Sequence, residues 1–231
     1  MKRMLLASVV LNILVVVFVL FVVQKLGGWN FLYYRMNNQG KAAHYDHRKS
    51  LYEVLVTQKG KTVFLGDSLT ELCEWAELLQ QDSIINRGIS ADQTDGVLSR
   101  LDGVLNLQPK RIFLMIGIND LLFHPPQRVL DNYKIIVERI QNHTSHIDLY
   151  VQSLLPINNE VRVVPIANAA VVAVNAGIEA LAIEKGIPYI NLHPYFTDAN
   201  GQLAASLTSD GVHLNGKGYL LWKQQLEPYF K

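Results

Sequence analysis

Apolar residues are concentrated in one uninterrupted run near the start of the chain. The 19 residues from Leu5 to Val23 include only two polar residues and no charged one. A helix of this length rises about 1.5 Å per residue and just spans the hydrocarbon core of a bilayer. Lys2 and Arg3 precede the run, which favours a cytoplasmic amino terminus. The pattern predicts a transmembrane signal-anchor over residues 1–24, with the rest of the chain outside the cytoplasm.

The alternative for this run is a signal peptide that is cleaved, so that the protein is secreted. Signal peptides have a shorter apolar core and a cleavage motif of small residues. The run here is longer, and no A-x-A pattern follows it. An uncleaved anchor is therefore favoured. Residues 25–58 are then expected to form a juxtamembrane linker, polar over 36–42, and a short helix from 43 to about 57.

Beyond residue 58, short apolar runs alternate with stretches in which apolar residues recur at helical spacing. The apolar runs lack clean alternation, which indicates a parallel sheet covered on both faces. With right-handed crossovers, residues 59–231 are predicted to form one α/β domain, a flavodoxin-like three-layer α/β/α sandwich with a five-stranded parallel sheet. Strands are predicted over 62–65, 83–86, 111–116, 148–154 and 187–190, and helices over 69–80, 93–107, 127–142, 163–185 and 215–227.

Composition removes several classes of function. The 231 residues carry 21 Lys+Arg and 20 Asp+Glu, a formal net charge of +1, whereas nucleic-acid binders usually show a basic surface. A hydrophobic content of 49% excludes a disordered chain. Cys73 is the one cysteine, which excludes an internal disulfide framework and a cysteine-based zinc site. No carboxylate or cysteine completes a plausible zinc set beside the H-x-x-H pairs at 44–47 and 143–146, so these are expected to be surface histidines and no metal is predicted.

Residues able to perform chemistry follow the predicted strands at their carboxyl ends, where sheets of this class bind ligands. Each alone has a structural explanation, such as a helix N-cap or a turn. Together they supply the nucleophile, hydrogen-bond donors, base and base-orienting carboxylate of an acyl-transfer site. In chain order these residues are Ser68, Gly88, Asn119, Asp210 and His213.

The same residues stand in short motifs whose order and spacing resemble those of the SGNH/GDSL hydrolases. The resemblance covers about residues 60–228 and is closest to the compact branch with platelet-activating-factor acetylhydrolase-like and lysophospholipase-like esterases. It implies a three-layer α/β/α fold with serine-esterase activity and no cofactor. One departure is Ala91, where relatives often have a second glycine. The motifs are G-D-S-L at 66–69, the block that begins at Gly88, G-I-N-D at 117–120 and D-G-V-H at 210–213.

The resemblance also implies a role for each site residue. Ser68 would be the nucleophile, His213 its general base and Asp210 the partner of that base. The oxyanion would be stabilised by the backbone N–H groups of Ser68 and Gly88 and by the side-chain amide of Asn119.

We therefore expect a membrane-anchored serine esterase that acts through an acyl-enzyme. Long insertions that could bury a fatty chain are absent, which favours short acyl esters, such as O-acetyl groups on an envelope carbohydrate. The alternatives are a lysophospholipase or thioesterase acting on lipid acyl esters, and a catalytically silent binding module on the same fold. The expected partners are an ester substrate and, through the N-terminal helix, the membrane.

Overall fold

The chain divides into two compact units, residues 1–40 and 41–231. In the first unit, helix α1 spans Lys2–Lys25. Its window Ser8–Lys25 has a mean hydropathy of 2.4, so the helix is long and apolar enough to cross a membrane, a property that signal sequences share. The computed structural model describes residues 2–25, 28–29, 39–55, 59–143 and 146–230.

Helix α2 spans Gln39–Val54 and begins before residue 43, where the sequence predicted its start. Of the predicted polar linker, residues 36–38 lie outside the described residues. Two tyrosines of α2 bond to the α/β fold: the Tyr45 hydroxyl donates to the Gly96 carbonyl at 3.0 Å, and the Tyr52 hydroxyl donates to the Gly88 carbonyl at 2.7 Å. Within the second unit, α2 is thereby held against the α/β fold.

The remaining elements alternate between strand and helix, as the sequence predicts. The strands are β1 Thr62–Gly66, β2 Ile84–Gly88, β3 Arg111–Met115, β4 Asp148–Gln152 and β5 Tyr189–Ile190. The helices are α3 Ser68–Glu71, α4 Trp75–Leu79, α5 Thr94–Leu105, α6 Pro126–Gln141, α7 Asn168–Lys185, α8 His193–Phe196 and α9 Gly216–Leu226, and 3-10 turns span Asp120–Leu122, Ala205–Leu207 and Glu227–Phe230.

The five strands form one parallel sheet in the order β2-β1-β3-β4-β5. This confirms the predicted five-stranded parallel sheet and its flavodoxin-like class. In the register of the strands, Gly66 at the end of β1 lies between Gly88 of β2 and Met115 of β3. The strand order reverses between β1 and β3, and sheets of this kind bind ligands at the carboxyl ends beside such a switch point.

Aromatic side chains fill one side of the sheet. Phe64 of β1 and Phe113 of β3 are neighbours in register, with ring centroids 5.0 Å apart. Trp75 of α4 stacks on Phe64 at 4.1 Å, and Trp222 of α9 meets Trp75 edge-on at 4.9 Å. All four rings are buried, and large aromatic rings contribute much of the apolar area in a core. This cluster holds α4 and α9 against the sheet beside the first strand.

The opposite side of the sheet is covered by α5, α6 and α7. Val63 and Leu65 alternate with Phe64 along β1, so they point to this side, and both are fully buried. Tyr133 of α6 is also fully buried and its hydroxyl donates to the Leu114 carbonyl at 3.5 Å. Helices on both sides of the sheet give the predicted three layers.

The helix predicted over 69–80 is two short helices, α3 and α4. The side-chain amide of Asn86 donates to the carbonyls of Thr70, Glu71 and Cys73, at 2.8, 3.1 and 3.0 Å. These carbonyls would otherwise continue the helical ladder. Residues 72–74 can therefore leave the helix without exposing unpaired carbonyls in the interior.

The helix predicted over 163–185 begins at Asn168. Pro165 has no N–H and disfavours the helical conformation at the residue before it. The side-chain oxygen of Asn159 accepts from the Val164 N–H at 2.7 Å, which holds this segment as a loop. The apolar pattern begins before the helix because Val164 and Ile166 of this loop are also buried.

Candidate active site

Ser68 is the first residue of α3 and is separated from the end of β1 by Asp67 alone. The side chain of Asp67 caps this short helix, because its Oδ1 accepts a hydrogen bond from the Leu69 N–H at 3.0 Å. Ser68 itself is 8% exposed. The turn therefore fixes the Ser68 hydroxyl at the carboxyl end of β1, on the switch point of the sheet.

The structure brings Ser68, His213 and Asp210 together, although Ser68 and His213 are 145 positions apart in the chain. The His213 Nε2 lies 2.9 Å from the Ser68 Oγ, and the His213 Nδ1 lies 2.7 Å from the Asp210 Oδ2. With a proton on Nδ1 donated to the carboxylate, Nε2 is left to accept from the serine hydroxyl. The three side chains thus form a continuous hydrogen-bonded chain that ends at the hydroxyl group of Ser68.

The loop that carries Asp210 and His213 is held by its own side chains. The Asp210 Oδ1 accepts from the backbone N–H groups of Val212 and His213, at 3.0 and 2.8 Å. The Thr208 hydroxyl donates to the His213 carbonyl at 2.7 Å and accepts from the Gly211 N–H at 2.9 Å. Sequence reasoning missed Thr208, since a threonine five residues before the histidine belongs to none of the four motifs.

Hydrogen bonding keeps Asp210 ionised. Partial burial opposes its charge, but bonds from the His213 side chain and from the His213 and Val212 backbone outweigh burial, so the pKa of Asp210 lies below its usual value. A carboxylate at this position orients the imidazole and stabilises its protonated form.

Asn119 follows β3, directly across the switch point from Ser68. Its side-chain amide donates to the Asp92 carbonyl at 3.0 Å. An amide nitrogen carries two hydrogens, so this bond orients the group and leaves the second hydrogen available. The next residue, Asp120, is buried and accepts from the Thr94 N–H at 3.0 Å, which ties the β3 loop to the start of α5.

Gly88 does not offer the donor that the sequence predicted. Its N–H donates to the Asn86 Oδ1 at 2.8 Å, and its carbonyl accepts from Tyr52. A Cβ at this position would lie 2.3 Å from the Glu71 backbone nitrogen and 2.8 Å from the Asp67 carbonyl oxygen. Glycine is therefore needed for the close approach of β2 to α3. The prediction of Gly88 as an oxyanion donor is corrected to a packing role.

The turn after β2 presents a different donor, the N–H of Ala91. Its neighbours are engaged: the Ser90 N–H donates to Glu71 at 2.6 Å, and the Asp92 N–H donates to the Ile89 carbonyl at 3.1 Å. Within the described part of the chain, the Ala91 N–H has no acceptor. Ala91 adopts a φ of 64°, a region that favours glycine. One indication of this conformation was visible in the sequence, because relatives often have glycine at the position of Ala91.

Comparison with known proteins now identifies the family. The model of the GDSL-like Lipase/Acylhydrolase family matches residues 64–221. The chain belongs to this family. Platelet-activating factor acetylhydrolase IB subunit alpha1 of Bos taurus is 29% identical to this GDSL acylhydrolase over 166 residues, which cover 69% of the chain and 70% of that protein.

Solved structures agree with this assignment. A protein of Streptococcus pneumoniae described as a platelet activating factor superposes with a TM-score of 0.78 at 25% identity, covering 87% of this chain and 99% of that one. A GDSL-like lipase of Bacteroides thetaiotaomicron gives a TM-score of 0.70 at 25% identity, covering 81% and 97%. This GDSL acylhydrolase is thus a carboxylic ester hydrolase with an α/β fold.

A buried ion pair lies beneath the site of this acylhydrolase. The Asp92 Oδ2 is 2.9 Å from the Arg100 Nε and 2.8 Å from its Nη2. Arg100 also donates to the carbonyls of Arg87 and Gly66, at 2.8 and 3.1 Å. Burial raises the pKa of Asp92 to about 6 even with Arg100 beside it. Sequence reasoning found neither residue, because nothing local in the sequence pairs them.

Asp67, next to the serine, is fully buried. One of its carboxylate oxygens caps α3, and the other has no partner among the residues described. Burial, with a smaller contribution from the charges of Asp92 and Asp120, raises the pKa of Asp67 to about 7. The residue is therefore a buried carboxyl group that holds the turn at Ser68.

Proposed function

We propose that the acylhydrolase hydrolyses its ester through an acyl-enzyme on Ser68. The observation that carries this proposal is the chain of hydrogen bonds from Ser68 through His213 to Asp210. As the Ser68 Oγ forms a bond to the ester carbonyl carbon, its proton passes to the His213 Nε2. His213 then gives that proton to the departing alcohol as the ester C–O bond breaks. Water repeats the sequence and releases the acid.

The oxyanion of the tetrahedral intermediate needs donors aimed at one point. We assign the N–H groups of Ser68 and Ala91 and the second amide hydrogen of Asn119. Neither backbone N–H has an acceptor among the described residues. The Asn119 side-chain amide donates to the carbonyl of Asp92, the residue that follows Ala91. This bond holds the Asn119 amide next to the segment that carries the Ala91 N–H.

We further propose a short acyl group, acetyl first, for example on an O-acetylated carbohydrate of the cell envelope. The curated relatives bear the name acetylhydrolase, and two of the connections at the carboxyl ends of the strands are short: one residue after β1 and the segment 89–93 after β2. A long acyl chain needs an extended apolar surface, which such connections do not add.

For α1 we propose a membrane anchor that leaves the hydrolase domain outside the cytoplasm. Support comes from the apolar window Ser8–Lys25 and from Lys2 and Arg3 before it. The test is membrane fractionation of the full chain, followed by amino-terminal sequencing. An intact amino terminus in the membrane fraction supports the anchor, whereas a soluble form that begins after residue 24 would show secretion after cleavage.

Substitution of Ser68 by alanine tests the acyl-enzyme. The variant should lose ester hydrolysis and labelling by a fluorophosphonate probe while it keeps its thermal stability. Ser83→Ala is the matched control, because Ser83 is exposed and lies at the amino end of β2, away from the site. Normal hydrolysis by Ser68→Ala would refute the mechanism. A wild-type protein that is neither labelled nor active would indicate a silent binding module.

A panel of esters with graded acyl length, including acetylated sugars, tests the substrate class. We expect kcat/KM to be greatest for acetyl esters and to fall as the acyl chain lengthens. The opposite trend would contradict the acetyl proposal and favour a lysophospholipase or thioesterase.

A further inference from the structure

Glu71, the last residue of α3, is the centre of a cluster that the proposed mechanism does not use. Its side chain is only 10% exposed. It accepts from the Ser90 N–H at 2.6 Å and from the Ser90 hydroxyl at 2.5 Å. From α2, the Arg48 Nε lies 2.7 Å and the His44 Nε2 lies 3.0 Å from its carboxylate oxygens. We name Glu71, Ser90, Arg48 and His44 the Glu71 cluster.

The Glu71 cluster is one residue away from the proposed oxyanion donor. Ser90 and Ala91 share a peptide bond whose nitrogen is the Ala91 N–H, so the orientation of Ser90 sets the direction of that donor. Glu71 lies on α3, the helix that begins with Ser68. The cluster therefore fixes the segment 89–93, which contains the proposed oxyanion donor, relative to α3, which begins with Ser68.

A second set of contacts from α2 reaches the same turn. The guanidinium groups of Arg48 and Arg87 lie 4.8 and 4.6 Å from the centroid of the Tyr52 ring. The Tyr52 hydroxyl donates to the Gly88 carbonyl, at the end of β2. Cation–π contacts with this ring stabilise Arg48 in the position from which it meets Glu71.

Glu71 is suited to this task as a carboxylate. Although burial opposes its charge, hydrogen bonds from Ser90 and His44 outweigh burial and hold its pKa below the usual value. An ionised carboxylate only accepts hydrogen bonds, and every neighbour in the cluster is a donor or a cation.

We propose that Glu71 is a positioning residue that aims the Ala91 N–H at the oxyanion, and that Arg48 and His44 of α2 hold Glu71 in place. The inference rests on the proposed function of Ser68 and Ala91. If Glu71 acts in this way, α2 contributes to catalysis by positioning Glu71, although α2 lies before residue 64, where the family match begins.

The test is Glu71→Gln in the full chain, with kcat expressed per site titrated by the fluorophosphonate probe. Glutamine keeps the shape but places an amide NH₂ against donors. A small displacement of a catalytic group costs up to about a hundredfold, so we expect kcat to fall about tenfold to a hundredfold. KM should change less than about threefold, because the oxyanion donor acts on the transition state. Arg48→Met should shift kcat in the same direction by less.

The matched control is Glu138→Gln. Glu138 also pairs with a cation, Lys185 at 2.8 Å, but on α6 and away from the site, so its kcat should equal that of the wild type. A merely structural Glu71 would lower the melting temperature and the number of titratable sites while kcat per site stayed constant, and that result would overturn the proposal. If wild-type protein is not labelled at Ser68, the proposed function fails first.

Discussion

Asn119 combines a structural hydrogen bond with the oxyanion role proposed for it. One amide hydrogen is bound by the Asp92 carbonyl at 3.0 Å, which fixes the plane of the group. The other hydrogen is left for a ligand. A donor that is oriented before the reaction needs no rearrangement when charge develops, which is why such donors are effective.

We therefore predict that Asn119→Ala lowers kcat about a hundredfold to a thousandfold, the usual effect of losing one oxyanion donor. Initial rates on an acetyl ester, per titrated site, measure the effect. Asn106→Ala is the control, because Asn106 is exposed at the end of α5. An unchanged kcat in Asn119→Ala would remove this residue from the oxyanion site.

Gly211 sets the backbone between Asp210 and His213. Its φ is +81°, and a Cβ there would lie 2.4 Å from the Asn158 carbonyl oxygen. Gly201 has a similar φ of +74° but open space around it. Substitution of Gly201 therefore measures the free-energy cost of a positive φ alone. Substitution of Gly211 measures that cost together with the steric clash against Asn158.

Gly201→Ala should cost about 1–2 kcal/mol of unfolding free energy, the conformational penalty alone. Gly211→Ala should cost more and also lower kcat, since the loop must shift the Asp210–His213 pair. Denaturant unfolding and kcat per titrated site measure the two effects. Equal stability losses with normal kcat would mean that the loop absorbs the added methyl group.

At the scale of elements, Arg100 joins three segments. From α5 it bonds to the ends of β1 and β2, through the carbonyls of Gly66 and Arg87, and to Asp92 in the segment that follows β2. Both Arg100 and Asp92 are buried. A buried pair adds little stability over apolar residues, but removal of one member leaves an uncompensated charge.

Arg100→Met should therefore lower the unfolding free energy by about 3–5 kcal/mol. The double variant Arg100→Met/Asp92→Asn should recover part of the loss, because the unpaired charge is gone. Arg128→Met is the control: its pair with Asp95 is about half exposed and should contribute no more than about 1 kcal/mol. A double variant less stable than Arg100→Met would contradict this explanation.

Sequence periodicity predicts the elements well because both layers of helices bury apolar stripes. Periodicity fails where side chains bond to carbonyls that would otherwise accept from the helix backbone. Asn86 does this between α3 and α4, within the helix predicted over 69–80. The Ser68, Asp210 and His213 cluster was predictable from motifs. The departure from glycine at Ala91 was visible in the sequence, but the free N–H of this residue was not, because it depends on which nearby acceptors are already bonded to neighbouring N–H groups. Glu71 and Arg48 were also missed, since they meet only when α2 folds onto the domain.

At the scale of the whole molecule, the buried carboxyl groups determine how stability depends on pH. The pKa of Asp67 rises from 3.8 to about 7 on folding. Between those values the native state holds a proton that the unfolded state has released, so stability decreases as pH rises. Asp210 acts in the opposite direction: its lowered pKa contributes stability that is lost as pH falls through the folded value.

We predict that the unfolding free energy of the wild type falls between about pH 5 and about pH 8, and that Asp67→Asn falls less over the same range. Asparagine keeps the oxygen that accepts from the Leu69 N–H and cannot ionise. Denaturant titrations at the two pH values measure both slopes. Parallel slopes for the two proteins would show that Asp67 does not hold a proton in the native state.

The brevity of β5 has a consequence for self-association. A free sheet edge invites strand addition from another chain, but β5 offers only two residues, Tyr189 and Ile190. The N–H groups that follow, of Leu192 and His193, are already bound by the Ser153 hydroxyl at 2.9 and 2.8 Å. The β5 edge of the sheet therefore offers almost no unpaired backbone to a strand from another chain, which disfavours aggregation through this edge.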